Sequence, residues 1–104
     1  MSEHFGAISF ADFAWIKEGA LFTNVESVAI EAQNMGAIRL EVVDQAGNII
    51  GTELRDVKQS GWHTFNFFHG NMKMAGDFSK PYKLRLVNAA GGGVRFVKQG
   101  DVEF

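Results

Sequence analysis

Apolar side chains recur at every second position along nearly the whole of this 104-residue chain, and Gly- and Asn-bearing turns interrupt the pattern. The alternation is clearest where Ile38, Leu40 and Val42 interleave with Arg39 and Glu41, and where Tyr82, Leu84 and Leu86 interleave with Lys83 and Arg85. Successive side chains of a β-strand point to opposite faces, so the pattern specifies strands with one dry and one wet side. No segment sustains a period of 3.6 residues, so no long helix is expected.

Residues 6–10, 21–32, 37–44, 48–57, 62–68, 82–89 and 94–104 read as strands, the last with a bulge near Gly100. Residues 12–19 suit either one helical turn or a second short strand. The most secure hairpin joins 37–44 to 48–57 through Asp44-Gln45-Ala46-Gly47, where Gly supplies the positive φ that such a turn needs. About seven strands at this spacing describe one all-β domain over residues 1–104, an antiparallel two-sheet β-sandwich of immunoglobulin-like or jelly-roll connectivity. Pattern alone does not separate this from a closed barrel. Residues 69–80 form a long connection without periodicity, of the kind that is more often functional than a short one. Its structural reading is a crossover held down by Met72, Met74 and Phe78.

Composition narrows the chemistry. With no Cys there is no disulfide, no thiol nucleophile and no thiolate metal site. No apolar run approaches the roughly 20 residues that span a bilayer, so no transmembrane segment is expected. The start, Met1-Ser2-Glu3-His4-Phe5, is unlike a signal peptide, which leaves a cytoplasmic protein or a trimmed mature secreted one. Net charge is −2, and an acidic domain argues against nucleic acid. The charge is uneven, because residues 70–100 hold six Lys and Arg against the single acid Asp77. Opposite-sign pairs between neighbouring strands account for this, and a basic face for an anionic ligand is the functional alternative.

Catalytic signatures are missing. His63 and His69 share parity but sit about 20 Å apart along an extended strand, too far to share zinc. No serine lies in a nucleophile elbow, and the acids are spread one per strand. Gly91-Gly92-Gly93 precedes a strand-like Val94-Arg95-Phe96-Val97 rather than a helix. It therefore reads as a flexible hairpin connection and not as a phosphate loop. Asp44, Asn48, Asp77, Asn88 and Asp101 fall near strand ends where calcium ligands occur, but turn formation explains each, so no metal or cofactor is assigned.

The functional signal is aromatic. Residues 61–69, Gly-Trp-His-Thr-Phe-Asn-Phe-Phe-His, divide by parity into His63, Phe65, Phe67 and His69 on one face and Trp62, Thr64, Asn66 and Phe68 on the other. If Phe65 and Phe67 fill the core, Trp62, Thr64 and Asn66 point outward. A flat ring beside hydroxyl and amide groups suits a sugar, which stacks its C–H face and hydrogen-bonds at its rim. The expectation is a non-enzymatic ligand-binding module for carbohydrate or another small polar ligand. Trp62 is its stacking platform, and Asn66, His69, Asn71 and Asp77 are its polar partners. The competing class is a structural or interaction protein, a self-assembling subunit or membrane-associating sandwich. A homodimer through a sheet edge is a secondary expectation.

Overall fold

The computed structural model describes residues 1–68 and 72–104. Ten strands lie among them: β1 (Ser2–Phe5), β2 (Ile8–Phe10), β3 (Phe13–Trp15), β4 (Ser27–Ala32), β5 (Gly36–Asp44), β6 (Ile49–Val57), β7 (Gly61–Asn66), β8 (Lys73–Met74), β9 (Tyr82–Asn88) and β10 (Arg95–Glu103). All pairings are antiparallel. The first sheet runs β1-β10-β4-β7, with β2 following β1 along the same edge of β10, and the second runs β3-β9-β5-β6-β8.

This order settles the connectivity. Only β5 and β6 are consecutive in sequence and paired with each other, while β2–β3, β3–β4, β4–β5, β6–β7, β7–β8 and β9–β10 each change sheet. That is the double Greek key of a jelly roll, and not the immunoglobulin arrangement.

Ten strands replace the expected seven, for local reasons. The expected first strand is β2, which begins only at Ile8, and a further strand, β1, precedes it across Gly6 and Ala7. The ambiguous segment resolves as β3 followed by a tight turn at Ile16–Gly19, in which Lys17 (φ 50°) and Glu18 (φ 59°) are left-handed. β8 is a two-residue strand inside the long crossover, paired with Gly51 and Thr52 of β6. The bulge of β10 falls between Val97 and Gln99 rather than at Gly100. Gly100 instead lets β1 approach, since a Cβ there would stand 2.1 Å from Phe5 Cζ and 2.6 Å from the Ala29 carbonyl oxygen. The triple glycine is a crossover, not a hairpin, because β9 and β10 belong to different sheets. Arg95 and Asn88 fix it by donating to the carbonyls of Gly92 and Gly93.

Between the sheets, Val28, Ile30, Ala32, Phe65, Phe67 and Val102 meet Ile38, Leu40, Val42, Tyr82, Leu84 and Leu86. Each large side chain removed from water contributes about 1.5–3 kcal/mol. The crossover closes one open side, with Met72 and Phe78 packed on the core and Phe78 edge-on to Phe67. Met74 stays half exposed.

Strand β6 breaks the apolar rule. Its inward positions beside Ile38 and Leu40 are Arg55 and Glu53. Glu53 is buried and its Oε2 accepts from Arg55 Nη2 at 3.0 Å, while Oε1 has no hydrogen-bond partner among the described residues. Arg55 lies over the Phe65 ring and donates to the Thr64 carbonyl at 2.6 Å, which joins the two sheets on the side opposite β2 and β3.

Candidate functional site

Strand β7 is an edge of the first sheet, and its side chains divide as the parity of residues 61–68 requires. Phe65 and Phe67 are buried, whereas Trp62 is 50% exposed and Phe68 66% exposed. Cross-strand partners lie on the same face, so the register with β4 and β10 identifies what surrounds Trp62. One row holds Trp62, Glu31 and Gln99; the next Thr64, Ala29, Asp101 and His4; the third Asn66, Ser27, Glu103 and Ser2. Strand β4 sets Glu31 directly beside the indole and only small side chains, Ala29 and Ser27, in the two rows beyond it. The result is a shallow polar trough with an aromatic wall at one end.

Short hydrogen bonds order the trough. Gln99 Nε2 donates to Glu31 Oε1 at 2.8 Å, which holds the carboxylate next to Trp62. His4 Nδ1 lies 3.0 Å from Asp101 Oδ1. The other end of the trough opens into a cleft of about 230 Å³ lined by Glu26, Ser27, Asn66 and Phe68. There the Phe68 amide donates to Asn66 Oδ1 at 3.0 Å and turns the chain out of β7. Trp62 and Asn66 are four residues apart, about 13 Å along an extended strand.

Trp62 and Asn66 therefore share one face. Asp77 does not join them: it lines a separate cleft of about 390 Å³ with Asp44, Gln45, Ala46, Lys80 and Pro81, at the tip of the β5–β6 hairpin. Its Oδ1 accepts from the Ser79 hydroxyl at 2.5 Å and the Ser79 amide at 2.9 Å, which hold its pKa below the usual carboxylate value, the hydroxyl most. Asp77 is a turn-former here. His69 and Asn71 lie outside the described residues.

The sequence did not single out Glu31, Gln99, Asp101 or His4 as neighbours of Trp62. The parity of residues 27–32, with Ser27, Ala29 and Glu31 on the wet side, was the available signal. What it lacked was the register of β4 against β7 and β10. His63 faces the interior side of β7, with Nε2 3.1 Å from the Gln59 carbonyl oxygen. No group of three or more His, Asp or Glu side chains that could hold a metal ion occurs among the described residues.

The outer face of the second sheet has the opposite character. Its rows are Phe13, Val87, Arg39 and Leu54, then Trp15, Arg85, Glu41, Thr52 and Lys73, with Lys83 beside Val43. Glu41 is buried on this face because Arg39 and Arg85 cover it, donating from Nε at 2.9 Å and 2.7 Å. Arg85 in turn lies 5.0 Å from the Phe13 ring centroid and 5.1 Å from that of Trp15. The uneven charge of the sequence thus includes a true cross-strand pair, Arg85–Glu41, within a basic and aromatic face.

No protein-family model and no curated protein matches the chain, so the functional reading rests on these residues and their placement.

Proposed function

We propose that the protein is a non-enzymatic carbohydrate-binding module whose ligand lies along the outer face of the first sheet. The observation that carries the reading is the half-exposed Trp62 ring, with Glu31 as its cross-strand partner and the small side chains of Ala29 and Ser27 in the rows beyond. A pyranose stacked on the indole has room over those positions. Glu31, Gln99 and Thr64 offer acceptors and donors at the rim of that space, and Asn66 lies farther along the same trough. Glu31, Asp101 and Glu103 repel anions, so the fitting ligand is a neutral glycan. The jelly roll hosts lectin domains and capsid subunits alike, so the architecture itself does not choose between binding and assembly.

The test is a glycan array followed by calorimetry with neutral oligosaccharides. Binding should appear in the unmodified protein and fall at least tenfold in Trp62→Ala, whose circular dichroism spectrum should be unchanged. Silence of the unmodified protein across neutral glycans rejects the reading.

A further inference from the structure

The two outer faces of the sandwich carry opposite charge. The regular outward positions of the first sheet present Glu31, Asp101 and Glu103 with the imidazole of His4, while Lys98 sits at the bulge of β10. Those of the second sheet present Arg39, Lys73, Lys83 and Arg85 against Asp56 and the covered Glu41. Each face also exposes apolar groups, Trp62 and Phe96 on one, Phe13 and Leu54 on the other. Arg and aromatic side chains are the residues that anchor protein interfaces.

We propose that a second copy of this chain docks its acidic first-sheet face onto the basic, aromatic second-sheet face, so that copies stack head to tail. Two-fold pairing of identical faces would set like charges against each other, which costs affinity and excludes the isologous dimer. Contact between unlike faces does not use up both, so it propagates into an open stack or a ring.

Edge-to-edge association is the weaker route. The Phe67 amide donates to the Glu26 carbonyl, so in the alternating ladder Thr64 turns its N–H and C=O to the free edge of β7. Arg55 already occupies that carbonyl. A partner strand would have to displace it.

A face of four strands, each about 20 Å long, covers roughly 400–600 Å² per copy, at the low end for a specific interface. The stack therefore needs high concentration and low salt, because lengthening the screening distance from about 10 Å at 0.1 M to about 30 Å at 0.01 M strengthens the charge attraction.

The experiment is light scattering of the full chain near 1 mM in low salt and again in 0.5 M salt. Mass rising continuously past two copies in low salt and returning to one in high salt supports the stack. A monomer throughout, or a mass that stops at two, overturns it. Two charge-reversed proteins complete the test, Lys73→Glu with Lys83→Glu, and Glu31→Lys with Glu103→Lys. Each alone carries like charge on both faces and should associate at least tenfold more weakly than the unmodified chain. Mixed in equal amounts they should recover an alternating stack, which also proves both are folded. Assembly of either alone at the unmodified level, or a mixture that stays monomeric, rejects the proposal. Covering the first-sheet face would block Trp62, yet none of these readouts uses a glycan, so the outcome is independent of the carbohydrate reading.

Discussion

Arg55 of the second sheet donates to the backbone carbonyl of Thr64 in the first at 2.6 Å, with the buried carboxylate of Glu53 3.0 Å behind it. One guanidinium thus neutralises an acid inside the sandwich and joins the sheets on a side where, among the described residues, β6 is paired only along Gly51 and Thr52. Removing one partner of a buried pair leaves an uncompensated charge. Arg55→Met should therefore cost about 3 kcal/mol in urea unfolding. The double variant Glu53→Gln, Arg55→Met should recover much of that loss, because the orphaned charge is gone. Equal loss in single and double variants would assign the effect to the Thr64 contact instead.

Gly100 is the point where β1 meets β10. A methyl group there collides with the Phe5 ring and with the Ala29 carbonyl oxygen, and only the ring can move. Overpacking of this kind costs about 1–3 kcal/mol. Gly100→Ala should fall at the upper end of that range, and hydrogen exchange at Ser2–Phe5 should accelerate more than in β5. Uniform acceleration would show that β1 does not detach separately.

Tyr82 is buried, and its hydroxyl oxygen accepts from the Val25 amide at 3.1 Å. Burial raises its pKa above the ordinary 10, since the phenolate loses hydration, and the Val25 bond offsets this in part. Below pH 10 both folded and unfolded chains keep the proton, so stability is unaffected. Above it the unfolded chain ionises first, and stability falls as pH rises. Tyr82→Phe should shallow this alkaline decline. At neutral pH it should cost about 1–3 kcal/mol by leaving a buried amide without its acceptor. Denaturation midpoints at pH 7 and pH 10.5 check both.

Asp44 behaves in the opposite sense. The Asn48 amide above all holds the Asp44 carboxyl below its ordinary value against desolvation, helped by the Asn48 side chain and the Ala46 and Gly47 amides. The carboxylate-stabilised hairpin turn is intact above the ordinary carboxylate range and weakens as pH falls through the depressed folded value. Asp44→Ala should lower the urea midpoint at pH 7 and match the unmodified protein at pH 2. A difference that persists at pH 2 would assign the effect to turn geometry rather than charge.

The legible part of this fold was the part with long alternation. Ile38–Val42 and Tyr82–Leu86 lie where the pattern puts them, in the centre of a sheet, and Gly47 (φ 90°) makes the turn required of it. β8 is too short to show a period and β1 buries only Phe5, so neither is legible, while β3 at three residues is legible only as one of two readings of residues 12–19. Strand β6 reads inverted. Leu54 looks like a core residue and is 60% exposed, while Glu53 and Arg55 face inward, a reversal tied to the register shift at Val42 and Val43. At the candidate site, the outward aim of Trp62 and Asn66 followed from Phe65 and Phe67. Glu31 and Gln99 joined them only through pairings across strands distant in sequence. Asp77 shares no face with Trp62, because the connection that holds it carries the chain across to the other sheet.

Strand β10 bonds to β1, β2 and β4, so the middle of the first sheet comes from residues 95–103. During synthesis, β1, β2 and β4 leave the ribosome with no strand to hold them together. Half of the sandwich must wait for the late-emerging segment, its apolar edges open to chaperones or to strangers. Nascent-chain arrest before Arg95 should yield a protease-sensitive product, and arrest after β10 has cleared the exit tunnel a resistant one.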